Sequence, residues 1–340
     1  MIDDTRPQSA LDALVAGLHA SRGVAAKRDI AGAVAALGIA DPRAAVPVGD
    51  DCAALPDGDG HLLFAIEGFL NDFVARDPWF AGWCGVMVNV ADIAAMGGRP
   101  LAVVDAVWGR DSGHLREILD GMAAAARAFG VPVVGGHSSA SAAQEQLSVA
   151  IIGRANRLLT SFDARPGDAL LVAVDLRGAY REPFPHWNAA TTAPPARLRA
   201  DLELLPALAE DGLCHAAKDI SQAGVIGTLL MLLECSGVGA TLDVRRVPRP
   251  PQAPLARWLL QTFPSYGYVL AVAPEHVAAV SARFHARDLA CAAVGACDGT
   301  RRLQLRAYGE TRLAWDFAAQ PLTGCGPAAA VSPVPETVHA

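Results

Sequence analysis

Lysine is almost missing from this chain of 340 residues: of 28 basic Lys and Arg residues, only Lys27 and Lys218 are lysines. Arginine-rich usage by itself assigns no function. Aromatic residues are also few, at 6%, and charged residues make up 19%, but 52% of the chain is hydrophobic. That supply of apolar side chains is enough for sizeable cores and excludes disorder as the overall description. There is no basic excess, because 35 acidic residues leave a net charge of −7. No global attraction to nucleic acid or anionic lipid is therefore expected, and any bound anion must meet a local site. The seven cysteines (Cys52, Cys84, Cys214, Cys235, Cys291, Cys297, Cys325) form no CxxC pair and are too scattered for a disulfide framework, so they read as reduced thiols. Long apolar runs are absent too. The uncharged stretches at residues 80–91 and 223–233 fall short of the roughly 20 residues a membrane helix needs. Met1-Ile2-Asp3-Asp4 has neither a basic n-region nor an apolar h-region, so no secretory signal is expected. The expectation is a cytoplasmic enzyme or binding protein.

What is present suggests about two domains at this length. Helical spacing of Leu, Val and Ile at 9–20 and 25–37 gives way to a break at Asp41-Pro42. Strands are expected at 61–67, 101–108, 131–134 and 147–153, and helices at 82–96 and 115–129. The alternation predicts an α/β sandwich with helices on its sheet, ending near residue 158. A second unit of the same style follows: strands at 169–174, 217–220, 239–244, 267–273, 291–296 and 302–307, helices at 197–211, 223–235, 253–262 and 275–286. Residues 177–195, with four prolines, read as a long functional or mobile loop. Residues 321–340 read as a loose tail.

Five segments can carry chemistry. Gly49-Asp50-Asp51 sets two carboxylates side by side, which is tolerated in solvent or beside a cation; a solvated turn is the competing reading. Glu67 ends an apolar strand, facing either a cleft or a plain surface edge. In the apolar helix 82–96, Asn89 and Asp92 are three apart and share a face. Buried there, the carboxylate requires a partner, a metal or solvent; an internal hydrogen-bonded pair is the alternative. Gly135-Gly136-His137-Ser138-Ser139 follows a strand as a loop whose backbone could approach phosphate, or is only a tight turn. Lys218-Asp219-Ile220-Ser221-Gln222-Ala223-Gly224 runs from strand to helix, offering an anion site or only a Ser221 N-cap. Walker, Rossmann and GxSxG signatures are missing, so hydrolase chemistry is unsupported.

Taken in order, these segments, above all Asp92-Ile93-Ala94-Ala95-Met96-Gly97-Gly98-Arg99-Pro100, resemble the superfamily of aminoimidazole ribonucleotide synthetase (AIR synthase), thiamine-monophosphate kinase, selenophosphate synthetase and the hydrogenase-maturation carbamoyl dehydratase. The resemblance covers roughly residues 45–300. It implies an α/β (α+β) two-domain fold. Residues 1–158 would form an ATP-binding domain that pairs its sheet across a homodimer, and residues 159–320 an α/β sandwich.

The resemblance also implies Mg-ATP in the cleft and a small-molecule substrate, with no nucleic acid and no membrane. Asp50, Asp51, Glu67 and Asp92 would ligate magnesium, with Asp50, Asp92 and Lys27 catalytic. Asn89, Gly135, Gly136, His137 and Ser138 would contact the nucleotide, and Asp219, Ser221 and Gln222 the substrate. Departures from the well-known members are visible: no cysteine precedes Gly49-Asp50-Asp51, and Gln222-Ala223 stands where a thiamine-monophosphate kinase would show Asp-Gly. The expected activity is phosphoryl transfer to an oxygen of a small molecule. A thiamine-monophosphate kinase-like or selenophosphate synthetase-like enzyme, a non-catalytic nucleotide-binding regulator, and a purely structural dimer are the alternatives.

Overall fold

The structure is a computed structural model that describes residues 7–38 and 45–327. The expected break at Asp41-Pro42 lies outside the described residues. Three helices come first: α1 (Pro7–His19), α2 (Arg22–Lys27) and α3 (Asp29–Leu37). Two had been expected. Ser21 starts α2 as its N-cap, its side chain accepting the Val24 N–H.

The first sheet contains β1 (Ala53–Asp57), β2 (Gly60–Gly68), β3 (Arg99–Trp108), β4 (Val133–Ser139) and β5 (Gln146–Ala155) in the order β1-β2-β5-β3-β4. Only β3 and β4 run parallel. Along β2, β3 and β5 alternate residues (Leu63, Ala65, Val103, Val107, Val149, Ile151) are buried. That inner face carries α5 (Pro78–Ala95) and α6 (Ser112–Phe129), with the short α4 (Asn71–Arg76) leading in. The two long helices cross at reciprocal glycines. A Cβ on Gly82 would lie 2.0 Å from the Ile118 carbonyl oxygen, and one on Gly121 1.8 Å from that of Trp79, so only glycine permits this approach. The outer face has no covering layer among the described residues and exposes Phe64, Ile66, Val104 and Ile152.

A second sheet joins β6 (Ala169–Val174), β9 (Ala216–Asp219), β10 (Gly239–Asp243), β12 (Gly267–Val272), β13 (Ala290–Asp298), β14 (Arg302–Ala307) and β15 (Glu310–Asp316) in the order β15-β14-β10-β13-β6-β12-β9. Its central strands, Ala-Leu-Leu-Val-Ala-Val and Gly-Tyr-Val-Leu-Ala-Val, are apolar without alternation because both faces are covered. Leu170, Val172 and Val269 face the core that includes α1, α9 (Gly224–Ser236) and α10 (Leu255–Leu260). Leu171, Ala173 and Tyr268 face the one that includes α8 (Leu204–Glu210), α11 (Val277–His285) and the end of α5. Helix α5 is therefore buried nearly all round, against the first sheet on one side and β9 on the other. α7 (Pro195–Leu202) precedes α8.

Several expectations are corrected. Residues 135–139 are not a loop but the body of edge strand β4. Residues 177–195 are not an irregular loop: β7 (Ala179–Tyr180) and β8 (His186–Asn188) form a small sheet with β11 (Phe263–Pro264), anchored by the buried Trp187. The helix expected at 197–211 is divided at Glu203 into α7 and α8. Residues 321–327 are not a loose tail either. Leu322, Thr323 and Gly324 donate backbone N–H groups to the buried Glu234 carboxylate, and the Thr323 hydroxyl adds a bond of 2.6 Å. Residues 328–340 lie outside the described residues. β1, α4 and β15 had not been expected.

Candidate active site

Four segments far apart in sequence meet where the two sheets adjoin. The Gly49-Asp50-Asp51 turn precedes β1, Asp92 stands near the end of α5, Lys218 and Asp219 end edge strand β9, and Glu67 lies near the end of β2. Asp51, Asp92 and Asp219 each bring one carboxylate oxygen to within 4.8 Å of the others. Asp92 is 6% exposed, and its Oδ2 receives no hydrogen bond among the described residues. Burial, and then the neighbouring Asp219, Glu67 and Asp51, push its carboxyl far above the carboxylate range. Asp219 is pushed up to about 8 by burial and by Asp51, with Lys218 opposing. Three hard oxygen donors, one of them from a carboxylate with an orphaned buried oxygen, fit a magnesium-like divalent ion, and not a soft metal.

Lys218 was not singled out as a site residue, yet it is central. It is 4% exposed, and its ammonium is bonded to Asp51 Oδ1. Burial alone works against the charge, but Asp51 and Asp50 outweigh it and raise the ammonium above its ordinary range. The remaining oxygen of Asp51 faces the Asp219 N–H at 3.4 Å.

Asp50 has protein partners on both oxygens. Its Oδ2 accepts the Ser161 N–H at 2.7 Å, and its Oδ1 accepts the Ser161 hydroxyl at 2.6 Å and the Asp51 N–H at 3.0 Å. Both oxygens thus clasp the turn to the segment after β5. Burial first, then Asp51, lifts it to about 6 against the opposing pull of Lys218 and Ser161. Asn89 is fully buried and donates to the Gly85 and Val149 carbonyls at 2.8 and 3.0 Å, so it ties α5 to β5, while its Oδ1 has no hydrogen-bond partner among the described residues.

Glu67 remains open to solvent at the rim, yet surrounding protein raises its carboxyl, with Lys27 pulling it down and Asp51 pushing it up. Lys27, at the end of α2, acts electrostatically on both Glu67 and Asp219. It is held there because α2 packs closely on the β9–α9 turn: a Cβ on Gly23 would lie 2.9 Å from the Ala223 nitrogen. In that turn Gln222 is exposed, and Ser221 gives its N–H to Thr228 Oγ1 at 3.2 Å. Ser221 is not the N-cap of α9, as one reading had it; Ala223, at φ +87°, holds that position. Gly135 and His137 pair with Val104 and Ala106 on the outer face of the first sheet, opposite the side that carries α5. Tyr268 pairs with Asp219 in register, and its buried hydroxyl has no hydrogen-bond partner among the described residues. Asp219, Asp92 and Asp51 all act on that phenol and, after burial, hold it above its usual range. The apolar run Gly-Tyr-Val-Leu gave no sign of it.

The two sheets and the acidic cluster of Asp51, Asp92 and Asp219 have counterparts among known proteins by family and by fold. Residues 49–155 match the model of the AIR synthase related protein, N-terminal domain, and residues 179–307 that of the AIR synthase related protein, C-terminal domain. The Synechocystis sp. protein sll0787 is 47% identical over 267 residues, covering 78% of this chain and 83% of that one. T. maritima PurL complexed with ATP superposes with a TM-score of 0.65 at 21% identity, over 79% of this chain and 44% of the other, so the chain spans less than half of that protein. AaThiL complexed with AMPPCP and TMP does so with a TM-score of 0.62 at 18% identity, over 83% and 94%. Both family models fall on the two sheets described above, with Asp51 and Asp92 within the first match and Asp219 within the second. The chain belongs to the AIR synthase related protein family.

Proposed function

We propose that the acidic cluster binds a nucleoside triphosphate with magnesium and that the chain transfers its γ-phosphoryl group to an oxygen of a small molecule, as a kinase or as an ATP-driven activator of a carbonyl. The observation that carries this reading is the convergence of Asp51, Asp92 and Asp219 around the orphaned Asp92 oxygen. When bound, magnesium would supply charge neutralisation for the phosphates. Asp92 and Asp219 would hold it, with Glu67 at the rim, while Lys218 keeps Asp51 in place. Lys27 would meet phosphate oxygens, Gly136 and Ser138 of edge strand β4 would border the nucleotide, with Gly135 and His137 turned to the outer sheet face, and Ser221 and Gln222 would contact the acceptor. In the transfer the acceptor oxygen forms the new P–O bond, the bridge to the β-phosphate breaks, and the acceptor's proton leaves to a carboxylate or water. T. maritima PurL and AaThiL, with ATP and AMPPCP, supply the analogy.

The exposed apolar face of the first sheet supports pairing with a second copy, since Phe64 and Ile66 are 49% and 65% exposed on it. We place the ATP-binding and dimerisation functions in residues 1–158 and the partner domain in 159–320, in the cytoplasm. The test is thermal unfolding with ATP, with and without magnesium, on wild type and Asp92→Asn. A magnesium-dependent rise that the variant loses supports the site; no rise at millimolar ATP ends the reading. Nucleotide binding without turnover is a second reading, favoured by the engagement of Asp50 with Ser161. A magnesium-dependent ATP shift with no phosphoryl transfer to any acceptor or to water would select it.

A further inference from the structure

The two lysines of a chain otherwise supplied with arginine both act on the acidic cluster. Arginine presents a broad planar fork, whereas lysine presents a compact point charge of the kind a metal ion also offers. Lys218 is the buried one. Its ammonium is bonded to Asp51 Oδ1 and lies close enough to Asp50 and Asp219 to interact with both.

The oxygens around it divide into two groups. Asp50 has both oxygens engaged by Ser161 and by its own turn, and Asp51 has one on Lys218 and one facing the Asp219 N–H. On the other side, Asp92 Oδ2 is buried without a hydrogen bond among the described residues, and the Asp219 carboxylate is within 4.8 Å of it. A buried cluster of this size is offset by positive charges as well as by protons, since unpaired buried carboxylates are costly. One of those charges is already covalently attached to β9.

We propose that Lys218 is a built-in cation that takes the place of a second metal ion, so that the cluster accepts a single divalent ion at Asp92, Asp219 and the shared edge of Asp51. The inference rests on the divalent-site reading above and goes beyond it by fixing the number of ions and the residue that sets it. The ammonium pins Asp51 in the absence of metal and keeps a positive charge at the cluster whatever the magnesium level. Dependence on magnesium then follows a single ion.

The experiment is a titration of the full chain with Mn2+ alone, following the paramagnetic resonance signal of the free ion, on wild type, Lys218→Met and the double variant Asp51→Asn/Lys218→Met. Wild type is expected to bind one ion. Lys218→Met frees the Asp51 oxygen and is expected to bind two ions, or one at least tenfold more tightly. The double variant removes the buried pair together and keeps Asp92 and Asp219, so it retains one ion. Wild type binding two ions, or a folded Lys218→Met with wild-type stoichiometry and affinity or weaker, overturns the proposal while leaving a divalent site intact. Should Lys218→Met fail to fold, Lys218→Gln is titrated in its place: two ions, or one bound at least tenfold more tightly, support the proposal, and wild-type stoichiometry and affinity overturn it. No binding by wild type or either variant removes the divalent site itself, and this inference with it.

Discussion

At the scale of single residues, neighbouring side chains of one chemical type have opposite duties. Asp50 is a clasp and Asp51 a partner for an ammonium, although they are adjacent; Asn89 and Asp92 share a helix, but one secures β5 while the other joins the acidic cluster. Burial raises the Asp92 carboxyl and so favours its neutral form, which Asn matches in shape and charge. Asp92→Asn should therefore change metal-free stability by no more than about 1 kcal/mol while abolishing stabilisation by magnesium and ATP. Thermal unfolding in EDTA and in magnesium separates the two effects. Sequence made the acid positions legible through their motifs, since Asp51, Asp92 and Asp219 do converge. It could not divide Asn89 from Asp92, because three residues on a helix face are neighbours whichever one meets the sheet. Lys218 did leave a signal, its rarity, which acquires meaning only beside Asp51.

At the scale of elements, close approach and long-range capping decide what forms. Gly82→Ala or Gly121→Ala should cost about 3 kcal/mol or more by pushing α5 from α6, measurable by urea unfolding. Glu234 near the end of α9 accepts four bonds from residues 322–324. Glu234→Ala should cost about 3 kcal/mol and open the chain to protease near residue 320, read by limited proteolysis and mass spectrometry. The same contacts explain two readings that failed. Pro, Gly and Ala after residue 320 have no periodicity, and nothing local reveals a carboxylate nearly ninety residues away. Gly135-Gly136 resembles a turn, yet at Gly136 a Cβ would lie 2.0 Å from Asp105 Oδ1, so glycine there serves strand packing. The strands at 61–67, 101–108 and 169–174 were legible because apolar runs and alternation are local properties.

At the scale of the whole molecule, acid should loosen the contact between the two halves. His186 in β8 is 1% exposed between the rings of Phe80 from α5 and Phe263 from β11, and burial, aided by Arg181, lowers it to about 3. The folded chain therefore refuses a proton that the unfolded chain accepts below about 6.5. Stability is complete above that pH and falls as pH drops toward 3, by up to about 1.4 kcal/mol per unit; His186→Gln should flatten the profile of chemical unfolding midpoints between pH 4 and 6.5. Ile66→Glu should yield a monomer in sedimentation, if the outer sheet face joins two copies, with the midpoint of unfolding in that variant no longer dependent on protein concentration. The packing of Gly49 carries a different consequence. Its Cβ position would lie 2.5 Å from Cys325 Cβ and 3.3 Å from Cys235 Sγ, so the turn that bears Asp51 is seated between the end of α9 and the strap held by Glu234. During synthesis Asp51 leaves the ribosome long before its seat exists, Lys218 and Asp219 follow well over a hundred residues later, and the strap comes after them. A nascent chain thus cannot assemble the acidic cluster until the strap has emerged.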